Sequence, residues 1–476
     1  MSDRIGTGNA EADQILCGGF LKNSINLLVG LAGSGKTVFA EHLAFHNAGE
    51  GRPILYLTTL SEPLQKVLTY LQRFDFYDES KLGTSVHYED LGPALAKEGI
   101  GGLLPVVNEA MRTTSPKIIL IDSFKAIHDL APSAREMRLM LYELVGSLTA
   151  YDATVFLLGE YSEEHQRTLP EFAIADGIVQ FWRSPTSTRD ERFMRVLKLR
   201  GSGYLEGQHG FRITKGGLDV FPRLVSPELP ESYELTREKV SWGVPGLDER
   251  MGGGLWRGSA TLLAGPTGSG KTTIGLQFVL EGVKRGEPSL YVNFQENPTQ
   301  LASTLRSLGT EVGKARRRGL HLYYSSPVEL QIDSVIISIF RTIREQGIQR
   351  VVIDSVGDLM AAASDPRRVQ DYLYSLVQQF TVMRVTCILI FETPGGVANI
   401  QNSAVGARLS YMSDNIVLLG VDAGRDFGRT LAVLKARATA HDLLSHELTI
   451  GEDGASLPTK RPRRRAGKPR GQRKRK

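Results

Sequence analysis

Short unbroken apolar runs recur along the chain, separated by longer stretches whose apolar residues return every three or four positions. In the first half the short runs lie near residues 25–29, 54–58, 117–121, 153–158 and 178–182. In the second half they lie near 260–264, 289–294, 350–353, 386–391 and 415–419. An apolar run bounded by polar turns, without inside–outside alternation, predicts a strand buried on both faces. Helical periodicity falls between the runs, as at Val38–Phe45, Glu136–Ala150, Ile274–Leu280 and Val369–Met383. Strands alternating with helices in this way predict an α/β architecture of parallel sheets flanked by helices.

The pattern occurs twice. Gly30-Leu-Ala-Gly33-Ser34-Gly35-Lys36-Thr37 is matched 235 residues later by Gly265-Pro-Thr267-Gly268-Ser269-Gly270-Lys271-Thr272-Thr273. Lys117-Ile-Ile-Leu-Ile-Asp122-Ser123 is matched by Arg350-Val-Val-Ile-Asp354-Ser355 at an offset of 232, and Lys198-Leu-Arg200 by Lys435-Ala-Arg437 at 237. Near-constant offsets predict two homologous domains in tandem, over residues 1–224 and 235–452. The join falls at the proline-rich stretch 221–234, and residues 453–476 read as a disordered tail.

Each glycine-rich stretch satisfies G-x-x-x-x-G-K-[ST] and lies between a strand-like and a helix-like run, the setting a phosphate-binding loop needs. Glycines let successive N–H groups point at phosphate oxygens, and the following helix adds its positive end. Lys36 and Lys271 are expected to reach the β- and γ-phosphates of a nucleoside triphosphate, with Thr37 and Thr272 offering hydroxyls to Mg²⁺. Asp122 and Asp354 end apolar strands, the Walker B position from which a carboxylate supports the metal. The group that orients or deprotonates the nucleophile belongs at the end of the strand after the loop helix. There the second copy carries Gln295-Glu296 before Pro298, and the first carries Leu60-Ser61-Glu62 before Pro63. Glu296 is therefore the candidate base of the second copy; the first has none unless Glu62 reaches round. Lys198 and Arg200, like Lys435 and Arg437, lie two apart on a strand or its exit and point the same way. They suit an interface that meets a neighbouring subunit's triphosphate.

Composition adds three points. No apolar run is long enough to span a bilayer, so no membrane role is expected. Two cysteines, Cys17 and Cys387, provide no disulfide framework and fit a reducing, cytoplasmic setting. The net charge is +5, but residues 460–476 carry eleven Lys and Arg and no acid, which leaves −6 for residues 1–459. The globular part is mildly acidic. Its basic tail, without aromatic residues for stacking, is suited either to non-specific nucleic-acid contact or to solubility.

Both phosphate loops, both Walker B strands, the Gly246–Gly254 entry and Lys198–Ser202 together resemble the KaiC family of tandem RecA-like P-loop ATPases. The resemblance covers about Gly6 to Glu452. It implies a double-layered ring, typically a hexamer, with ATP between neighbouring subunits, slow hydrolysis, and serine/threonine autophosphorylation near the second site. The family's paired glutamates fall on Gln295-Glu296 in the second copy and on Leu60-Ser61 in the first. The second domain is thus the expected ATPase, and the first is expected to bind ATP for assembly. Ser410 occupies the family's phosphoserine position, with Tyr411 in place of the adjoining threonine. A regulatory switch read by a signalling partner follows from the resemblance. The alternatives are a RecA-like, DNA-associated ATPase tethered by the tail, and a non-catalytic scaffold held together by ATP.

Overall fold

The computed structural model describes residues 3–59, 64–185, 190–227, 238–361, 366–393, 409–421 and 428–458. Backbone contacts group the chain into two units, Met1–Arg223 and Leu224–Lys476.

The first unit is built on a nine-stranded sheet. Its strands are β1 (Ile25–Val29), β2 (Ile54–Thr58), β3 (Val86–Asp90), β4 (Ile118–Asp122), β5 (Thr154–Gly159), β6 (Gly177–Pro185), β7 (Asp190–Leu199), β8 (His209–Thr214) and β9 (Gly217–Phe221). Their order is β9-β8-β7-β6-β1-β5-β4-β2-β3. From β3 to β6 all neighbours are parallel, whereas β7, β8 and β9 join antiparallel. The parallel strands are apolar on both faces because both faces are covered. Leu28, Tyr56, Leu120 and Phe156 enter the core on one side. Leu27, Leu55, Ile119 and Val155 enter the core on the other. Helix α1 (Lys36–Asn47) follows β1, and α2 (Ala134–Ala150) precedes β5.

The second unit repeats this plan with β10 (Ala260–Gly265), β11 (Ser289–Asn293), β12 (Leu320–Tyr324), β13 (Arg350–Asp354), β14 (Thr386–Glu392), β15 (Asn415–Val421), β16 (Arg429–Ala436), β17 (His446–Gly451) and β18 (Gly454–Ser456). The order β12-β11-β13-β14-β10-β15-β16-β17-β18 is that of the first sheet read from its other edge. Helices α3 (Lys271–Lys284) and α4 (Pro366–Val382) correspond to α1 and α2. The expected tandem RecA-like architecture is present, and the two repeats match each other strand for strand, with nine strands each where the apolar runs marked five.

Two features differ from the sequence reading, the edge strands and the chain beyond Gly451, while the division between the units falls inside the stretch 221–234. Edge strands β3 and β12 carry mixed polar residues and are only partly buried, so no apolar run marked them. At the join, Leu224–Ser226 pack on the second unit: Gln379 Nε2 donates to Val225 O at 3.1 Å, and the Ser226 and Ser375 hydroxyls lie 3.1 Å apart. Beyond Gly451, where structure was not expected, the chain turns back into β18. Gln277 holds both the N–H and the C=O of Ala455 there, and Leu457 is buried. The basic run 460–476 lies outside the described residues. Among the described residues, no helix is long and apolar enough to cross a membrane.

Candidate nucleotide sites

Each phosphate loop leaves the C-terminal end of its central strand and enters a helix at the lysine, through a glycine with φ near +100° (Gly35, 102°; Gly270, 100°). That left-handed conformation disfavours any residue with a Cβ. Neither helix start is capped by a side chain, so its first N–H groups face the loop. A Cβ on Gly30 would stand 2.2 Å from Phe181 O, so the loop presses against its neighbouring strand. Ser34 and Ser269 are buried beneath the two loops, and Ser269 Oγ donates to Pro266 O at 2.7 Å. Gly33 and Gly268 both have positive φ, and Gly268 O accepts from Arg429 Nε at 2.8 Å. Thr267 Oγ1 donates to Glu392, while Thr273 is half-buried in the first turn of α3.

The loop lysines fold back on their own loops. Lys36 Nζ donates to Leu31 O at 3.0 Å; Lys271 Nζ donates to Gly265 O at 3.0 Å and to Pro266 O at 2.7 Å. Burial draws both ammonium groups below the usual lysine range. Glu160 and Asp122 oppose this at Lys36, as Glu392 and Asp354 do at Lys271. Anionic phosphate oxygens are natural replacements for these carbonyls.

The strand-end aspartates meet the loop threonines. Thr37 Oγ1 donates to Asp122 Oδ2 at 2.9 Å, and Thr272 Oγ1 to Asp354 Oδ2 at 2.8 Å. A tyrosine from the adjacent strand converges on the same oxygen: Tyr291 at 2.6 Å from Asp354, Tyr56 at 3.2 Å from Asp122. Burial raises the Asp354 carboxyl, and the Tyr291 and Thr272 hydrogen bonds oppose it. A hydroxyl and a carboxylate in this arrangement are hard oxygen donors of the kind Mg²⁺ takes.

Glu296 follows β11 in the second unit. Its loop is held by Asn293 Oδ1, which accepts from the backbone N–H of Gln295 at 3.1 Å and of Glu296 at 3.3 Å. Glu296 Oε2 is shielded from solvent and has no hydrogen-bond partner. Burial first, then the Asp354 charge, raises its carboxyl. Gln295 is engaged elsewhere, donating to both carboxylate oxygens of Asp358 at 3.2 Å. The corresponding residues of the first copy, Leu60, Ser61 and Glu62, lie outside the described residues.

The basic pairs are not brought to the phosphate loop of their own repeat. Lys198 pairs in register with Ile178 and Lys435 with Ile416, at the end of the sheet away from that loop. Lys198 Nζ donates to Ala173 O at 3.4 Å, and Arg200 lies 3.3 Å from Asp176. Lys435 Nζ donates to Ser410 O at 2.9 Å and Ser413 O at 2.7 Å, while Arg437 lies 3.3 Å from Asp414. Ser410 is half-buried on the short helical turn 409–412, beside a Tyr411 that is 80% exposed.

The family model described as "ATPase: KaiC" matches residues 5–225 and again residues 240–460. The chain belongs to the KaiC ATPase family. It is 27% identical over 469 residues to a circadian clock oscillator protein KaiC of Picosynechococcus sp., covering 94% of this chain and 87% of that one. It is 26% identical over 471 residues to the circadian clock protein KaiC3 of Synechocystis sp., covering 96% and 92%. A circadian clock oscillator protein KaiC of Synechococcus elongatus is 26% identical over 467 residues, covering 94% and 87%.

Within this KaiC-like frame the structure adds residues that the sequence reading missed. Tyr56 and Tyr291 occupy matched positions in β2 and β11, a signal that aligning the repeats on their loops would have exposed. Glu41 is the other. It stands four residues after Thr37 in the apolar α1, and Tyr88 OH donates to its Oε2 at 2.7 Å. Burial pushes its carboxyl up to about 8, with the Tyr88 hydrogen bond opposing and the Asp122 charge adding. Glu41 lines a cavity of about 730 Å³ with Lys36, Thr37, Tyr56, Asp122 and Glu160.

Proposed function

We propose that the protein is a Mg²⁺-dependent KaiC-like ATPase that assembles as a homo-oligomeric, hexameric ring in the cytoplasm, binds ATP in both repeats and hydrolyses it mainly in the second. The observation that carries this reading is the convergence of Thr272 and Tyr291 on Asp354 Oδ2, with the unpartnered Glu296 Oε2 alongside. Lys271 and the N–H groups of residues 267–273 would hold the β- and γ-phosphates. Thr272 and Asp354 would hold Mg²⁺, and Lys36, Thr37 and Asp122 would do the same in the first repeat. Bound Mg²⁺ neutralises charge that builds on the phosphate oxygens. Glu296 would orient a water and take its proton; its burial without a partner suits that task.

Lys198 with Arg200, and Lys435 with Arg437, would act from a neighbouring subunit. Their place at the far end of each sheet supports this, because they are remote from their own loop. Ser410, tethered through its carbonyl to Lys435, is the candidate acceptor for autophosphorylation. The nucleotide state and the Ser410 phosphate would then alter the ring surface for a signalling partner. The basic run 460–476 favours a second reading, a DNA-associated RecA-like ATPase with non-specific nucleic-acid contact; strong stimulation by single-stranded DNA would select it.

The test follows the γ-phosphate of labelled ATP into free phosphate and into protein, for wild type, Lys36→Ala and Lys271→Ala. Free phosphate that depends chiefly on Lys271 supports the ATPase assignment. Label in protein that Ser410→Ala removes supports the autokinase. Bound nucleotide with neither product leaves a scaffold and overturns both.

A further inference from the structure

Aligned on their loop lysines, α1 and α3 place Glu41 opposite Leu276, and the paired strands β2–β3 and β11–β12 place Tyr88 opposite Leu322. The second repeat fills this position with two leucines, Leu276 buried and Leu322 packed against the same core. The first repeat substitutes both at once, with a carboxyl and the hydroxyl that binds it. A buried carboxyl costs stability unless every oxygen is satisfied. Tyr88 satisfies Oε2 and the Tyr56 hydroxyl also stabilises the carboxylate; Oε1 is shielded from solvent and receives no hydrogen bond of good geometry.

The position of Glu41 is specific. Residues four apart share one helix face, so its carboxyl stands one turn behind the Thr37 hydroxyl that bonds Asp122. It lines the same cavity as the phosphate-loop lysine. Glu296 has the matching character in the second repeat, a carboxylate beside the strand-end aspartate with one buried, unpartnered oxygen. The first repeat carries Leu60 and Ser61 at the strand end where the second carries Gln295 and Glu296.

We propose that Glu41, presented from the phosphate-loop helix and held by Tyr88, is the proton acceptor of the first repeat, which therefore hydrolyses ATP with a base in a different place from the second. This rests on the ATPase reading above. The water oxygen bonds to the γ-phosphorus as the bond to the β–γ bridging oxygen breaks. ADP leaves with that electron pair, and one water proton passes to Oε1 of the ionised Glu41 carboxylate, directly or across one bridging water, so the step gains as pH rises toward about 8 and Glu41 gives up the proton it otherwise holds. Release of phosphate returns the proton to solvent.

The experiment compares full-length wild type, E296Q, E296Q/E41Q, E296Q/E62Q and E296Q/E41L/Y88L. Phosphate release and the ATP and ADP recovered from the purified protein are both measured. E296Q is expected to keep a residual turnover and to carry ADP in its first repeat. Adding E41Q should cut that residue by about tenfold or more and replace the ADP with ATP, with two nucleotides still bound per chain. The leucine pair reproduces the second repeat's own packing. It should fold, bind nucleotide and be equally inactive, which keeps the test valid if E41Q alone fails to fold.

If E296Q releases no phosphate and retains only ATP, the first repeat does not hydrolyse and the proposal falls while the ATPase reading stands. Residual turnover that survives E41Q or the leucine pair, or that disappears with E62Q instead, also overturns it. If wild type itself releases no phosphate, it is the ATPase reading that fails.

Discussion

The two repeats share a sheet order, a loop geometry and a threonine–aspartate–tyrosine contact, yet they place their carboxyl groups differently. In the second, acidity is concentrated at the strand end, where Glu296 faces Asp354 and the helix behind them is apolar through Leu276. In the first, the strand end carries Leu60 and Ser61, and the helix carries Glu41. The tyrosine contact follows suit: Tyr291 lies 2.6 Å from Asp354, whereas Tyr56 lies 3.2 Å from Asp122 with Glu41 close by. A duplicated fold can thus keep its phosphate-loop backbone while moving the carboxyl groups that stand around it. Backbone N–H groups and a lysine bind phosphate whatever stands behind them, but proton transfer requires one carboxylate in one place.

The largest test of that contrast is in the second repeat. In a Lys36→Ala background, Glu296→Gln should lower phosphate release by about 100-fold with ATP still bound; an unchanged rate would remove Glu296 from the chemistry. Lys36→Ala and Lys271→Ala should each leave one nucleotide per chain rather than two, counted after rapid desalting. Loss of both from a single substitution would mean that the repeats do not bind independently.

A smaller difference is expected from the tyrosines. Tyr291→Phe leaves a buried carboxylate short of a strong hydrogen bond and should cost about 1.5 kcal/mol, roughly tenfold in MgATP affinity. Tyr56→Phe should cost less, because its contact with Asp122 is longer. Equal losses by titration calorimetry would show that the two tyrosines serve their sites alike.

A further contrast concerns pH and stability rather than turnover. Glu41 binds its proton more tightly in the folded chain, up to about 8, than unfolded. Between the ordinary carboxyl range and that value the folded state holds a proton that the unfolded state does not. Stability of the nucleotide-free protein should therefore fall as pH rises from about 5 to about 8, by at most about 1.4 kcal/mol per pH unit. Thermal melts of E41L/Y88L should lack that slope. A slope unchanged by the pair would assign the pH dependence to other groups.

Some of this was legible in the residues alone, because the signals are local. A phosphate loop is one contiguous segment, so Gly30–Thr37 and Gly265–Thr273 announce themselves. Apolar runs mark the buried parallel strands because neither of their faces meets water. Asp122, Asp354 and Glu296 are found at strand ends, positions that a strand boundary defines. The edge strands β3 and β12 escaped because a half-buried edge tolerates polar residues and blurs the apolar run.

What only the tertiary structure decided are contacts between segments that sequence spacing does not relate. Glu41 and Tyr88 are 47 residues apart and meet because the fold brings the side chains of α1 and the edge strand β3 together. Tyr56 and Asp122 are 66 apart and meet because β2 and β4 are neighbours in the sheet. The place of Lys198 and Lys435, far from their own loops, follows from β7 and β16 running antiparallel to the strands beside them. Local chemistry is written in consecutive residues; which carboxyl stands behind which hydroxyl depends on how helices and strands pack.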